Sequence, residues 1–136
     1  MSISTTKFND VVSYKITNSS NLTASGSKNV TDGPGILYSV KIVNGNDAAV
    51  FVKISNALTF TSGNTAPDWI FRCAASSTQT FQIPNGCSFN ALSLWATENA
   101  SVSDNTNPSV SGNETVAVTL LTQSSSATSS GSANGY

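Results

Sequence analysis

The run ENASVSDNTNP brings Glu98, Asp104, Asn105 and Asn107 within ten positions of one another. Carboxylates and amide carbonyls are the donors a hard cation such as calcium prefers, but this spacing does not follow the order of an EF-hand loop. Two carboxylates set among turn-forming Asn residues also describe an ordinary solvated β-loop, so no metal ligands are expected. For acid/base chemistry the available carboxylate pairs are Glu98 with Asp104 and Asp68 with Glu114, and nothing in their surroundings distinguishes them from surface charges. The chain has no histidine at all. That removes the commonest general base and the commonest metal ligand, and with them Ser-His-Asp, Cys-His and HExxH sites. The expectation is a protein that is not an enzyme, with no catalytic residues and no cofactor.

Two tryptophans, Trp69 and Trp95, are the candidates for stacking on sugar rings. Each stands at the end of an apolar run, where an indole also packs at the rim of a core with its N–H near a polar partner. Cys73 and Cys87 are too few for a disulfide framework and alternate with aromatic neighbours, so both are expected as free, core-filling thiols. Asn18, Asn21, Asn29, Asn99 and Asn113 begin Asn-x-Ser/Thr triplets. A chain this rich in the three residue types generates such triplets by chance, so glycans are not expected.

Seven acidic and six basic side chains leave a formal net charge of -1, with Lys7, Lys15, Lys28, Lys41, Lys53 and Arg72 dispersed. No basic stripe faces a phosphate backbone, and nucleic acid is not an expected partner. No apolar run is long enough to span a bilayer, and the opening MSISTTKFND lacks the apolar stretch of a secretory signal. No membrane association is expected. A chain of 136 residues is long enough to bury a substantial core as one domain.

Short runs of apolar alternation separated by Gly, Asn, Pro and Ser predict an all-β fold. Val12, Tyr14 and Ile16 share one face of a first strand, opposite Ser13, Lys15 and Thr17. The polar stretch to Gly35 has room for a short edge strand. Ile36, Tyr38, Val40 and Ile42 then alternate with Leu37, Ser39 and Lys41; Asn44-Gly45-Asn46-Asp47 predicts a hairpin turn; and Val50, Val52 and Ile54 return, with Lys53 on a water-facing side. Further strands are expected at Trp69 to Ala74, Thr80 to Ile83 and Ser88 to Trp95, with Pro84-Asn85-Gly86 as a tight turn between the last two. The final strand, Glu114 to Thr122, points Val116, Val118 and Leu120 inward. Seven to eight strands without helices predict an antiparallel β-sandwich or jelly-roll-like domain over residues 11–122. Residues 1–10 are expected as a polar N-terminal arm that reaches onto neighbouring subunits, and 123–136 as a flexible low-complexity tail, in which Tyr136 reads as solvated.

The order GILYSVKIVNGNDAAVFVKISNA, TFQIPNG, FNALSLWATENASVSD and ETVAVTLL resembles small β-sandwich virion proteins of tailed bacteriophages over roughly residues 36–122. The resemblance implies a decoration or cement protein on the virion capsid surface, assembled in the host cytoplasm. Its partners would be the major capsid protein and neighbouring copies of itself, as a homodimer or homotrimer on capsid axes. The present chain departs from that pattern in WIFRC, in its two tryptophans and in lacking a closing Tyr or Lys after the last strand. The alternative from a different class is a carbohydrate-binding module of a tail fibre or cell-surface protein, using Trp69 or Trp95.

Overall fold

The computed structural model describes residues 2–7, 14–108 and 115–124. Eight strands run in the order β1 (Ser2–Lys7), β2 (Tyr14–Ser20), β3 (Gly35–Asn44), β4 (Val50–Ser55), β5 (Trp69–Cys73), β6 (Ser77–Phe89), β7 (Ser93–Thr97) and β8 (Val116–Ser124). They form a five-stranded sheet, β1-β2-β8-β3-β6, and a three-stranded sheet, β5-β4-β7, and every pairing is antiparallel. The expected all-β sandwich is the fold. Its core lies between the sheets, where Leu37, Val40 and Ile42 of β3 and Val116, Val118 and Leu120 of β8 meet Val50, Val52 and Ile54 of β4 and Leu94 of β7. Each such side chain, fully removed from water, contributes about 1.5–3 kcal/mol.

The segment expected as an N-terminal arm is in part an edge strand, since Ser2–Lys7 pairs with Ser20 to Lys15 along its whole length. On β2 the parity holds, with Ile16 half-buried on one face and Thr17 and Ser19 buried on the other. Register explains which face is inside: Thr17 pairs with Leu120 and Ser19 with Val118, so the polar set shares the core side of β8. Val12 and Ser13 lie outside the described residues, as do Asn113, Glu114 and positions 125–136 with Tyr136. Gln123 and Ser124, expected in the tail, belong to β8.

The Asn44-Gly45 turn does not make a hairpin. A two-residue hairpin turn needs positive φ in its central residues, and none of the residues from Asn44 to Asp47 has it. The chain instead crosses from one sheet to the other, so β3 and β4 face each other across the core. Asn44 holds this corner. Its amide nitrogen donates to the carbonyls of Ala48 at 2.9 Å and Ala74 at 3.0 Å, while its Oδ1 accepts from the Asn46 N–H at 3.0 Å.

Pro84-Asn85-Gly86 likewise does not reverse the chain. β6 continues through it and pairs with β3 on both sides, with the register shifting between Leu37 and Ser39. That irregularity breaks the expected alternation, so Leu37 and Val40 are both buried and Ile36 is only half-buried. Gly86 has φ +74°, and a Cβ there would run into Ile36 Cγ2 and come to 3.0 Å from Tyr38 Cε1. Only glycine fits where the bulged backbone lies on those two side chains. The predicted strand from Ser88 to Trp95 also divides. β6 ends at Phe89, the chain changes sheets, and Asn56 Oδ1 holds the crossing by accepting from the N–H groups of Asn90 at 2.7 Å and Ala91 at 3.3 Å.

One flank of the sandwich is closed by the segment between β2 and β3. Ser27 and Leu94 exchange backbone hydrogen bonds at 2.8 and 2.9 Å, Val30 N–H donates to Leu92, and Ala96 N–H donates to Thr23. At its tightest point Gly26 has φ +63°, and a Cβ there would meet the Leu94 carbonyl oxygen, Phe60 Cζ at 2.6 Å and Trp95 Cβ at 2.7 Å. Gly26→Ala therefore combines left-handed strain of about 1–2 kcal/mol with a steric clash against backbone. A loss of at least about 2 kcal/mol is expected in denaturant unfolding, and a loss below about 1 kcal/mol would mean the segment shifts freely.

Candidate functional site

Of the residues singled out from sequence, Trp95 and the loop carrying Asp104 meet at the outer face of the three-stranded sheet. Strand alternation sends Lys53 and Ser55 of β4, and Ser93, Trp95 and Thr97 of β7, away from the core. All five are nevertheless buried, because the loops 56–68 and 98–108 lie over this face. The protein is thus three layers deep here, two sheets and a covering of loops.

Trp95 is 1% exposed. Phe60, from the loop after β4, stacks on it with ring centroids 4.2 Å apart and planes within 10°, and the Lys28 ammonium sits 5.1 Å from the Phe60 centroid. This column of cation, phenyl and indole joins the flanking segment, the loop and β7. The expected polar partner of the indole is missing, since Trp95 Nε1 is buried with no hydrogen bond among the described residues. Trp95 is a candidate for stacking on sugar only under the alternative reading, and here Phe60 covers one face of its ring. Trp69 is half-buried and packs against the core beside Phe71.

Lys53 is the largest departure from the sequence reading. Expected on a water-facing side, it is fully buried in a register position between Ile70 and Trp95. Its ammonium donates to the backbone carbonyls of Ser101 at 2.6 Å and Asp104 at 3.4 Å. Desolvation pushes its pKa below the ordinary lysine value, and the Asp104 charge works against that. The oxygen-rich loop that suggested a hard cation therefore wraps the ammonium of the chain's own lysine.

Asp104 organises the same loop. Its Oδ2 accepts from Asn99 N–H at 2.8 Å and its Oδ1 from Thr106 N–H at 3.3 Å. Desolvation alone would raise its pKa; the Thr106 side chain, the two N–H groups and the Lys53 charge outweigh that and hold it below the usual carboxylate value. Asn107 Oδ1 accepts from Ala24 N–H at 2.9 Å, tying the loop to the flanking segment. Glu98 and Asn105 are exposed. Among the described residues no three His, Cys, Asp or Glu side chains gather as a metal site. Asp68 caps its own loop, accepting from Asn56 N–H at 2.6 Å. Its expected pair partner Glu114 is outside the described residues.

Neither a family model, nor a curated protein, nor a solved structure matches this chain.

Both cysteines are free, as expected from sequence, but only Cys73 is buried. Its thiol lies 3.4 Å from the Ser77 carbonyl oxygen. Cys87 is half-buried beyond the β6 bulge, so it is not the core residue that alternation suggested. Of the Asn-x-Ser/Thr positions, Asn18, Asn21 and Asn99 are exposed, and Asn18 accepts from the Thr119 hydroxyl at 2.7 Å. Sequence reasoning passed over Phe60 and Lys28. The only sign of the first was a lone aromatic in the polar run LTFTSGNT, where a solvated loop has no use for a phenyl ring.

The Lys53 ammonium is enclosed by carbonyls, the Asp104 carboxylate is occupied in holding loop backbone, and the Phe60 and Trp95 rings are stacked on each other.

Proposed function

We propose that this protein is a capsid decoration or cement protein of a tailed bacteriophage, bound to the outer shell and stabilising it by bridging capsid subunits. The observation that carries this reading is the five-stranded sheet, which ends in β1 and β6, each paired on one side only among the described strands. An open edge offers a row of backbone donors and acceptors to a neighbouring chain. The sequence resemblance over residues 36–122 points the same way, as does a covered face suited to load rather than catalysis. Many copies on one shell convert weak single contacts into firm attachment.

The test is electron cryomicroscopy of purified particles that carry this protein. Sandwich-sized density repeated at capsid symmetry positions is the expected result; density confined to a tail appendage, or none, overturns the cement role. Deleting residues 1–10 removes β1 and leaves the other seven strands. Particle occupancy is expected to fall while the isolated domain keeps its cooperative unfolding, and unchanged occupancy would dismiss β1 as an attachment element.

A further inference from the structure

The four sheet edges of this sandwich are not equivalent. The β7 edge is occupied by the segment from Thr23 to Val30 through backbone hydrogen bonds. The β5 edge is five residues long and carries Arg72, and the β1 edge is six residues long and ends in Lys7. β6 is thirteen residues long, pairs only with β3 among the described strands, and has no charged side chain. Charge, brevity and cover are the usual devices that keep an edge from pairing with another chain. From Ser77 to Ile83, before the bulge at Pro84, β6 has none of them.

We propose that Ser77–Ile83 of β6 is a homodimerisation edge, pairing antiparallel with the same strand of a second copy to join two five-stranded sheets into one. A second copy fits because full antiparallel overlap of this segment with itself is self-complementary. It sets Thr80 opposite Thr80 on the two-fold axis and Thr78 opposite Gln82, uncharged polar pairs that tolerate one another across strands. Every second residue of β6 turns its N–H and C=O away from β3, so the dimer supplies partners to groups that the monomer leaves to water. The surface beside the edge favours the same occupant. Phe81 and Ile83 are half-buried, and Phe71 of β5 stands 4.8 Å from Phe81 between ring centroids. This seam between β5 and β6 is a margin of the core, and an isologous partner brings an equal apolar strip to cover it.

Thr78 and Gln82 pair with Val43 and Ser39 of β3, on the face away from the core, so substitution there does not touch core packing. Sedimentation equilibrium of the full chain at micromolar concentration is expected to show a dimer. In Thr78→Lys with Gln82→Lys, the two-fold axis sets like charges opposite each other twice. The dimer dissociation constant is expected to rise at least about tenfold, with circular dichroism and thermal unfolding of the monomer retained. Thr78→Lys with Gln82→Glu places opposite charges at the same pairs and is expected to remain dimeric. A wild-type monomer at all concentrations, an unchanged dissociation constant in the double-lysine variant, or a monomeric mixed-charge variant would each overturn the pairing. These measurements use the isolated protein, so they stand or fall separately from occupancy on capsids.

Discussion

Trp95→Ala should lower the unfolding free energy by about 4 kcal/mol, near the upper end for a single core truncation. The indole is enclosed on the outer face of the small sheet, and its removal opens a cavity between Phe60 and the flanking segment at Gly26. It also removes a stacked pair, worth about 0.5–1.5 kcal/mol beyond its buried area. In a domain of this size the midpoint of thermal unfolding should fall by on the order of 10 °C. Phe60→Ala and the double variant complete a thermodynamic cycle, in which a coupling of about 1 kcal/mol is expected. If Trp95→Ala instead left stability within about 1 kcal/mol of wild type and abolished binding to a glycan array, the indole would be an exposed sugar platform and the carbohydrate-binding alternative would replace the structural one.

Lys53→Ala should destabilise by about 3 kcal/mol, because it removes both a fully buried side-chain stem and the donor to two carbonyls. Lys53→Met separates the two contributions. It refills most of the space and leaves only the Ser101 and Asp104 carbonyls without their donor, for an expected loss of about 1–2 kcal/mol. Urea unfolding of the three proteins reads the ordering directly, and an alanine variant as stable as wild type would show that loop 98–108 closes without its lysine. The alkaline limb gives an independent check. A lysine whose folded pKa is lowered binds fewer protons in the native state than in the unfolded state, between the two pKa values. Stability contributed through Lys53 therefore rises as pH increases across that window, just below ordinary lysine titration. The Lys53→Met profile should lack that rise, so the rise appears in the difference between the stabilities of the two proteins, and an identical pH profile would contradict the burial of the ammonium.

The absence of histidine and the dispersal of charge bound the chemistry from the sequence by itself. Period-two alternation, with turn residues between the runs, determined an all-β sandwich, because one buried face per strand writes itself into every second residue. β8 is the clearest case: Val116, Val118 and Leu120 point where their spacing said they would. Tertiary structure alone decided which strands share a sheet. Asn44-Gly45 satisfies the sequence rule for a hairpin, yet the backbone takes no positive φ there, and the Asn44 amide instead bonds to the carbonyls of Cys73, at the end of β5 in the opposite sheet, and of Ala74 after it. It also decided the fate of Lys53 and Trp95. Alternation determines that both leave the core side of their strands, but whether that second side meets water depends on loops distant in sequence. Loop 98–108 comes to rest on Lys53 through backbone carbonyls, and a carbonyl is present at every residue and leaves no mark in the pattern of side chains.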